Sequence, residues 1–494
     1  MRLRSSRRAL AGALILSAGL VIAGPRPALA LTPTPLHVTK QQDTNDGACN
    51  ADCSLREAVV AANAHAGPDV IVVPAGTYRL TRAGRGENHA MTGDLDLTDD
   101  VTIRGAGAAS TIIMGLGKDR IFDVRGGATA TIARLRMEGG NPGNASGGAI
   151  QIFGNATLRR VVIASNTANA GGGISDGGTL TIAGSLVENN MTVTGTTNPQ
   201  GAGLFTTGPT TILASTFAGN TTTGAGSEGG GAIFTTDSSL TIRNSTLTGN
   251  TADFGGGIDT TNSSLVLDDD TIQGNSSTIA GGGGISHFSF NGSDHVSIGN
   301  TILAANSPEN CTATANTIDS QGHNIDTGSS CGLAGTGDQS NTPAGLTPLA
   351  ANGGPTPTEA IGIHSAALDQ GASCEPKDQR GVPRPQGASC DVGAYETAVA
   401  TVTKPVASTV HVETFTVAWN AAAAGSAAFD VRDRRRADGT TTFGAFHPFK
   451  KGTAAQTSPF TGAFGFEYCF SARAIDRGGH AGPFGPERCV DVTT

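Results

Sequence analysis

Apolar positions recur along the middle of this chain in columns that are held by a repeated asparagine. Taking Asn166, Asn190, Asn220, Asn250, Asn275 and Asn306 as anchors, the residue eight before each is Leu158, Ile182, Ile212, Ile242, Leu267 or Ile298. The residue three before is Ile163, Val187, Phe217, Leu247, Ile272 or Leu303. Two short apolar strands per copy, a Gly-rich tract and an Asn are the signature of a solenoid. Successive anchors lie 24, 30, 30, 25 and 31 residues apart, enough for one turn of three short strands. Stacked turns bury the Ile and Val columns, bring strands about 4.8 Å apart and let identical Asn side chains bond up the stack. The Asn column is therefore expected to be structural.

Length variation is confined. From Ile150, Ile174, Leu204, Ile233 and Ile258 the distance to the next anchor is nearly constant, while 167–170, 191–200, 221–228, 251–254 and 276–280 vary. The last copy adds a stretch at 287–294 carrying His287, Phe288 and Phe290. Loops leaving one edge of a rigid stack are common binding elements, so these three residues are candidate ligand contacts.

Outside the repeats, Ser54 and Glu57 form a capping box ahead of Leu55, Ala58, Val59 and Ala62 on one helical face. A short amphipathic helix suits the open end of a solenoid, where the first coil would expose its interior. Residues 70–73 and 77–80 read as the first strands. Beyond Lys404-Pro405 the texture changes: 415–419, 428–432, 468–475 and 488–492 alternate as short strands of a β-sandwich.

Composition and charge refine this picture. Glycine, 71 of 494 residues, is about twice its usual share of roughly 7%, which suits repeated tight turns. The first 30 residues have a basic start, an apolar run at 9–23 and an Ala28-Leu29-Ala30 exit, the pattern of an export signal. Arg7-Arg8 leaves a twin-arginine route open beside general secretion. No later apolar run is long enough to span a bilayer, so membrane insertion is not expected. Eight cysteines in an exported chain favour disulfides, and proximity in sequence pairs Cys49 with Cys53, Cys311 with Cys331, Cys374 with Cys390 and Cys469 with Cys489. The net charge is −9, and the acid is concentrated before residue 400, which argues against nucleic acid and polyanionic partners for the repeat body.

Three stretches carry a family resemblance. CSLREA from Cys49, with the apolar helix and PAGTY that follow, resembles the N-terminal segment of secreted right-handed parallel β-helix proteins of the CSLREA type. GDLDLTDDVTIRGAGAASTII from Gly93 is similar to their opening coils, and the Gly-Gly-Gly-Ile repeats resemble those of pectin-lyase-like β-helices. The NGGPTPT, DQRG and DVGAYE runs within 346–396 resemble the choice-of-anchor Q module that closes many such helices. Trp419 and the Tyr468–Ala474 alternation resemble a fibronectin type III domain. The expected fold is all-β: a right-handed parallel β-helix with capping segments, followed by a small β-sandwich. Its expected divisions are 1–30 signal, 31–105 cap and first coils, 106–325 repeats, 326–398 closing module, 399–405 linker and 406–494 sandwich.

Few motifs carry chemistry. Gly173-Ile174-Ser175-Asp176-Gly177 matches a hydrolase elbow, but the coil pattern demands a strand there and no helix follows. Gly224, Gly226 and Gly229 spell a dinucleotide fingerprint that likewise lacks its helix. The run from Asp43 lacks the twelfth-position acid of a calcium loop. Asp94, Asp96, Asp99 and Asp100 read as turn residues, and His323 as packing near Cys331. Glycan-cleaving β-helices use paired carboxylates, or a calcium-bound substrate acid with a basic side chain. On that chemistry the catalytic candidates are Asp268, Asp269 and Asp270 with Arg243 one coil below, or else an exposed ion pair of no function. The expectation is a secreted, monomeric, non-catalytic protein binding an extracellular glycan or cell-envelope component, without a cofactor. The alternatives are a polysaccharide lyase or glycoside hydrolase, to which alone calcium would belong, and a structural spacer displaying its last domain.

Overall fold

The computed structural model describes residues 35–193, 200–223, 229–279, 281–290, 292–314, 317–362, 364–398, 400–421, 426–476 and 479–494. The signal-like start, Gly224 and Gly226 lie outside them. Three parallel sheets of eleven, nine and eleven strands wind into a β-solenoid of about eight turns. Each coil contributes one strand per sheet: Thr179–Ala183 to the first sheet, Leu186–Glu188 to the third and Leu204–Thr206 to the second. The predicted columns coincide with the registers: Leu158 pairs with Ile182, Ile182 with Ile212, and Ile163 with Val187. All of these are fully buried.

Two polar ladders run up the interior corners of the stack. Each anchor Asn Nδ2 donates to Oδ1 of the next Asn at 2.8–3.0 Å, from Asn166 through Asn306. The same Oδ1 also accepts the lower Asn backbone N–H, so every rung satisfies a turn that would otherwise leave a buried donor. Asn310 adds a final rung and passes the ladder to Asp326 Oδ1 at 2.6 Å. The second ladder lies at the corner between first and third sheets. Val161 N–H donates to Ser185 Oγ, Ser185 N–H to Ser215 Oγ, Ser215 N–H to Ser245 Oγ, and Ser245 N–H to Asp270 Oδ1 at 2.7 Å.

Glycine permits the coils to approach. A Cβ on Gly178 would lie 1.8 Å from the Gly154 carbonyl oxygen of the coil below. Gly171, at φ +60°, opens the turn into a second-sheet strand in a conformation costly for other residues.

The N-terminal end is closed as the capping box predicts. Helix Leu55–Ala64 has Ser54 Oγ accepting from Glu57 N–H, and Glu57 Oε2 accepting from Ser54 N–H at 2.7 Å. The helix also buries Arg56, which pairs with Asp43 at 2.6 Å and donates to the carbonyls of Ala90, Gly93 and Asp94. Asp43 is thus a helix tether.

At the other end, Cys331 and Leu333 pack onto the solenoid core. Residues 346–396, expected to close the stack, instead run back along the outer face of the third sheet. Thr216 Oγ1 donates to the Pro357 carbonyl, Thr246 Oγ1 to Gln379, and Thr248 Oγ1 to Glu359, while Ala394 N–H donates to Thr271 Oγ1. This segment is a strap held to outward-facing threonines.

Residues 400–404, expected as part of a linker, form strand Ala400–Lys404 of the last domain. That domain packs a three-stranded sheet on a five-stranded one, with Trp419 1% exposed against the edge of Phe449. All four cysteine pairs form as expected, and Cys469–Cys489 links directly opposed positions of adjacent antiparallel strands. Among the described residues no helix is long and apolar enough to cross a membrane.

Candidate functional site

Three edges of the solenoid are chemically distinct. The edge between third and second sheets carries the variable loops. The insertion leaves a different edge, between second-sheet strand Ile285–Phe288 and first-sheet strand Val296–Gly299. Its three candidates separate. His287 is fully buried in its strand, with Nδ1 2.5 Å from Thr260 Oγ1 and Nε2 3.1 Å from the Asp294 carbonyl, and burial lowers its pKa. It is a core residue here, and no ligand reaches it without opening the coil. Phe288 and Phe290 are 40% and 84% exposed, so neither ring seals the end of the stack. Phe290→Ser is accordingly expected to leave the melting temperature unchanged in a thermal melt, since the ring has little contact to lose.

The acidic candidates are engaged by the strap and by the second ladder. Arg243 stands in register with Asp268, as the repeat predicts, but its Nη1 bonds Glu375 of the strap at 2.6 Å. Asp269 is buried: Oδ1 accepts from Arg384 at 2.7 Å and Oδ2 from Glu375 N–H at 2.7 Å. Burial raises its pKa to about 6 against the opposing effect of Arg384. Asp270 replaces serine in the second ladder, with Oδ2 accepting from Asp268 N–H, and burial raises its pKa strongly. Asp268, half-buried, faces Asn300 Nδ2 at 3.5 Å. These carboxylates seat the strap and continue a ladder.

His323, expected near Cys331, places Nδ1 2.6 Å from the Gln370 carbonyl. Gly173–Gly177 is confirmed as coil, since Ile174–Asp176 is a strand and Ser175 is buried.

The third edge, between first and third sheets, forms a groove of about 1150 Å³ against the strap. Its walls hold seven cations, Arg104, Arg134, Arg159, Arg160, Arg243, Lys377 and Arg380. The two acids, Glu375 and Asp378, are each paired to an arginine of the groove, Arg243 and Arg380. Repetition creates this cluster. Arg104 and Arg159 lie at the C-terminal ends of first-sheet strands two coils apart, Arg104 one residue before the last, both in register with Ala133 between them. Arg134 and Arg160 occupy the positive-φ turn that follows, at 59° and 52°, which turns them outward. Arg104, Arg134, Arg159, Arg160 and Lys377 are exposed. Stacked coils therefore set cations about 4.8 Å or a multiple apart along a shallow trough. Asp268, Asp269 and Asp270 are absent from its walls, as is any aromatic ring.

Sequence reasoning missed this groove because it treated charge as a sum. The signal was nonetheless present, since Arg104, Arg159 and Arg243 share one repeat position at the end of the first apolar strand and Arg134 and Arg160 share the next.

No family model and no curated protein matches the chain. Among solved structures, one titled "Myokine structure" is 13% identical and is matched over 20% of this chain and 97% of that chain. Its TM-score of 0.15 is too low to bear on fold or function.

Proposed function

We propose that this protein is a secreted, non-catalytic binder of anionic polysaccharide, with the arginine groove as its site. The observation that carries the reading is the segregation of charge: seven cations and two neutralised acids line one groove of a chain whose net charge is −9. Net charge governs long-range behaviour, but over a Debye length of about 8 Å a ligand responds to the local cluster. Carboxylate, sulfate or phosphate groups spaced along a glycan match guanidiniums spaced along coils, and Arg suits bidentate recognition of each. The groove lacks the aromatic platforms on which single-stranded nucleic acid stacks. It also lacks an unpaired carboxylate for acid–base cleavage, which favours binding over the hydrolase or lyase reading. The resemblance to CSLREA-type and choice-of-anchor Q proteins, the four disulfides and the signal-like start support an extracellular setting.

Titration calorimetry with a polyuronate, a sulfated dextran and neutral dextran tests this. Saturable binding of the anionic chains, weakened by salt and reduced about tenfold or more by Arg159→Glu with Arg160→Glu, is the expected result. Equal binding of neutral dextran, or binding indifferent to the double charge reversal, sinks the proposal. Release of unsaturated or reducing ends would replace it with the enzymatic reading.

A further inference from the structure

We infer that Asp94, Asp96, Asp119 and Asp123 form a binding site for a hard divalent cation, calcium being the ion that fits. This site lies in the first coils, away from the groove, and does not depend on the glycan reading.

Residues 93–97 alternate so that Leu95 and Leu97 enter the core while Asp96 faces out from the second sheet. One coil on, Asp123 sits in register with Asp96 between Phe122 and Val124. Asp94 and Asp96 were expected to be turn residues; instead they are buried together with Asp119 and Asp123, all four only 0–3% exposed. Ligand oxygens of Asp94, Asp96 and Asp123 lie within 4.8 Å of one another, the reach across a calcium ion bound at roughly 2.4 Å.

The oxygens divide in a consistent way. One oxygen of each carboxylate is used by the protein: Asp94 Oδ2 accepts from Arg120 at 3.0 Å, Asp96 Oδ2 from Ala90 N–H at 2.8 Å, Asp119 Oδ1 from Arg120 N–H at 2.8 Å, and Asp123 Oδ2 from Arg125 at 2.9 Å. The other oxygen of each is buried without a partner. Asp119, outside the triad, is an independent pointer. Its orphaned Oδ2 abuts Gly93, beside Asp94, where a Cβ would meet it at 2.7 Å. A buried acceptor left bare is costly; three carboxylates converge here with a fourth bare oxygen beside them, and a shared cation would satisfy them together. Arg120 and Arg125 offset two of the four negative charges, leaving a formal −2. Arg56 is committed to Asp43, and Glu87, which also faces Asp96, bonds the backbone N–H groups of His89, Met91 and Thr92. Oxygen-only donors select a hard ion.

The test is calorimetric titration of EDTA-stripped, full-length protein with calcium chloride, together with thermal melts. The expected result at about pH 8 is one ion per chain and a melting temperature several degrees higher with calcium. Asp96→Asn with Asp119→Asn is expected to cut affinity at least about tenfold. The inference is overturned if stripped wild-type protein gives neither heat nor a shifted melt at about pH 8, or if the double variant binds calcium undiminished. A magnesium response equal to that of calcium overturns the choice of ion. The wild-type arm decides the matter even if the variant does not fold.

Discussion

Asn220→Ala is expected to destabilise the solenoid by about 4 kcal/mol, measured as a shift in the denaturant midpoint with an unchanged slope. Asn220 Oδ1 accepts from both Asn190 N–H and Asn190 Nδ2, while its own Nδ2 donates to the Val187 carbonyl and to Asn250 Oδ1. Alanine strands two donors and deprives two acceptors at a site with no solvent, and each orphaned group costs about 1–3 kcal/mol. Asn220→Asp is expected to be nearly as damaging: its oxygens still serve Asn190, but it loses the donor and brings an uncompensated buried charge. A loss below about 1 kcal/mol would show that the ladder is incidental to the stack. Coils transmit such damage only to their neighbours, so hydrogen exchange should quicken most around Val187, Asn190 and Asn250.

Arg384→Met is the second large effect, expected to cost about 3–5 kcal/mol near pH 8 and to release the strap from the third sheet. Arg384 is 1% exposed and holds Asp269 at 2.7 Å, the Asp391 carbonyl at 3.2 Å and the Gly393 carbonyl at 2.6 Å. Removing the cation leaves Asp269 charged and buried. The cost should shrink at about pH 5, because Asp269, already raised to about 6, then protonates. Its folded pKa lies above the ordinary value, so the sign is fixed: acid conditions relieve the variant and alkaline conditions worsen it. Faster exchange within 346–396, with the apolar columns still protected, is the expected pattern. A variant equally impaired at both pH values would show that the pair is not what fastens the strap.

The strap also explains the fate of the acidic candidates. Asp268 and Arg243 were legible as cross-coil neighbours, because register follows directly from the repeat. That Arg243 turns to Glu375, 132 residues away, was not, since nothing local in either segment announces the other. His287 shows the same limit on a smaller scale. Its place in an insertion suggested exposure, yet the strand runs through Phe288 and carries the imidazole into the core beside Thr260. Sequence length located the extra residues correctly but placed their start two residues early.

Periodic and local features were readable from the chain alone: the coil, the buried columns and the asparagine ladder on the one hand, the capping helix and the cysteine pairs on the other. Each coil repeats the same environment, so one physical demand writes itself into the sequence many times, and local pairings need only local spacing. Only the tertiary structure decided which charges meet. The arginine groove, the buried acids of the first coils and the seat of the strap each join residues from different coils or distant segments. Electrostatics there depends on burial and on distances of a few ångströms, which a charge total and a one-dimensional pattern do not contain.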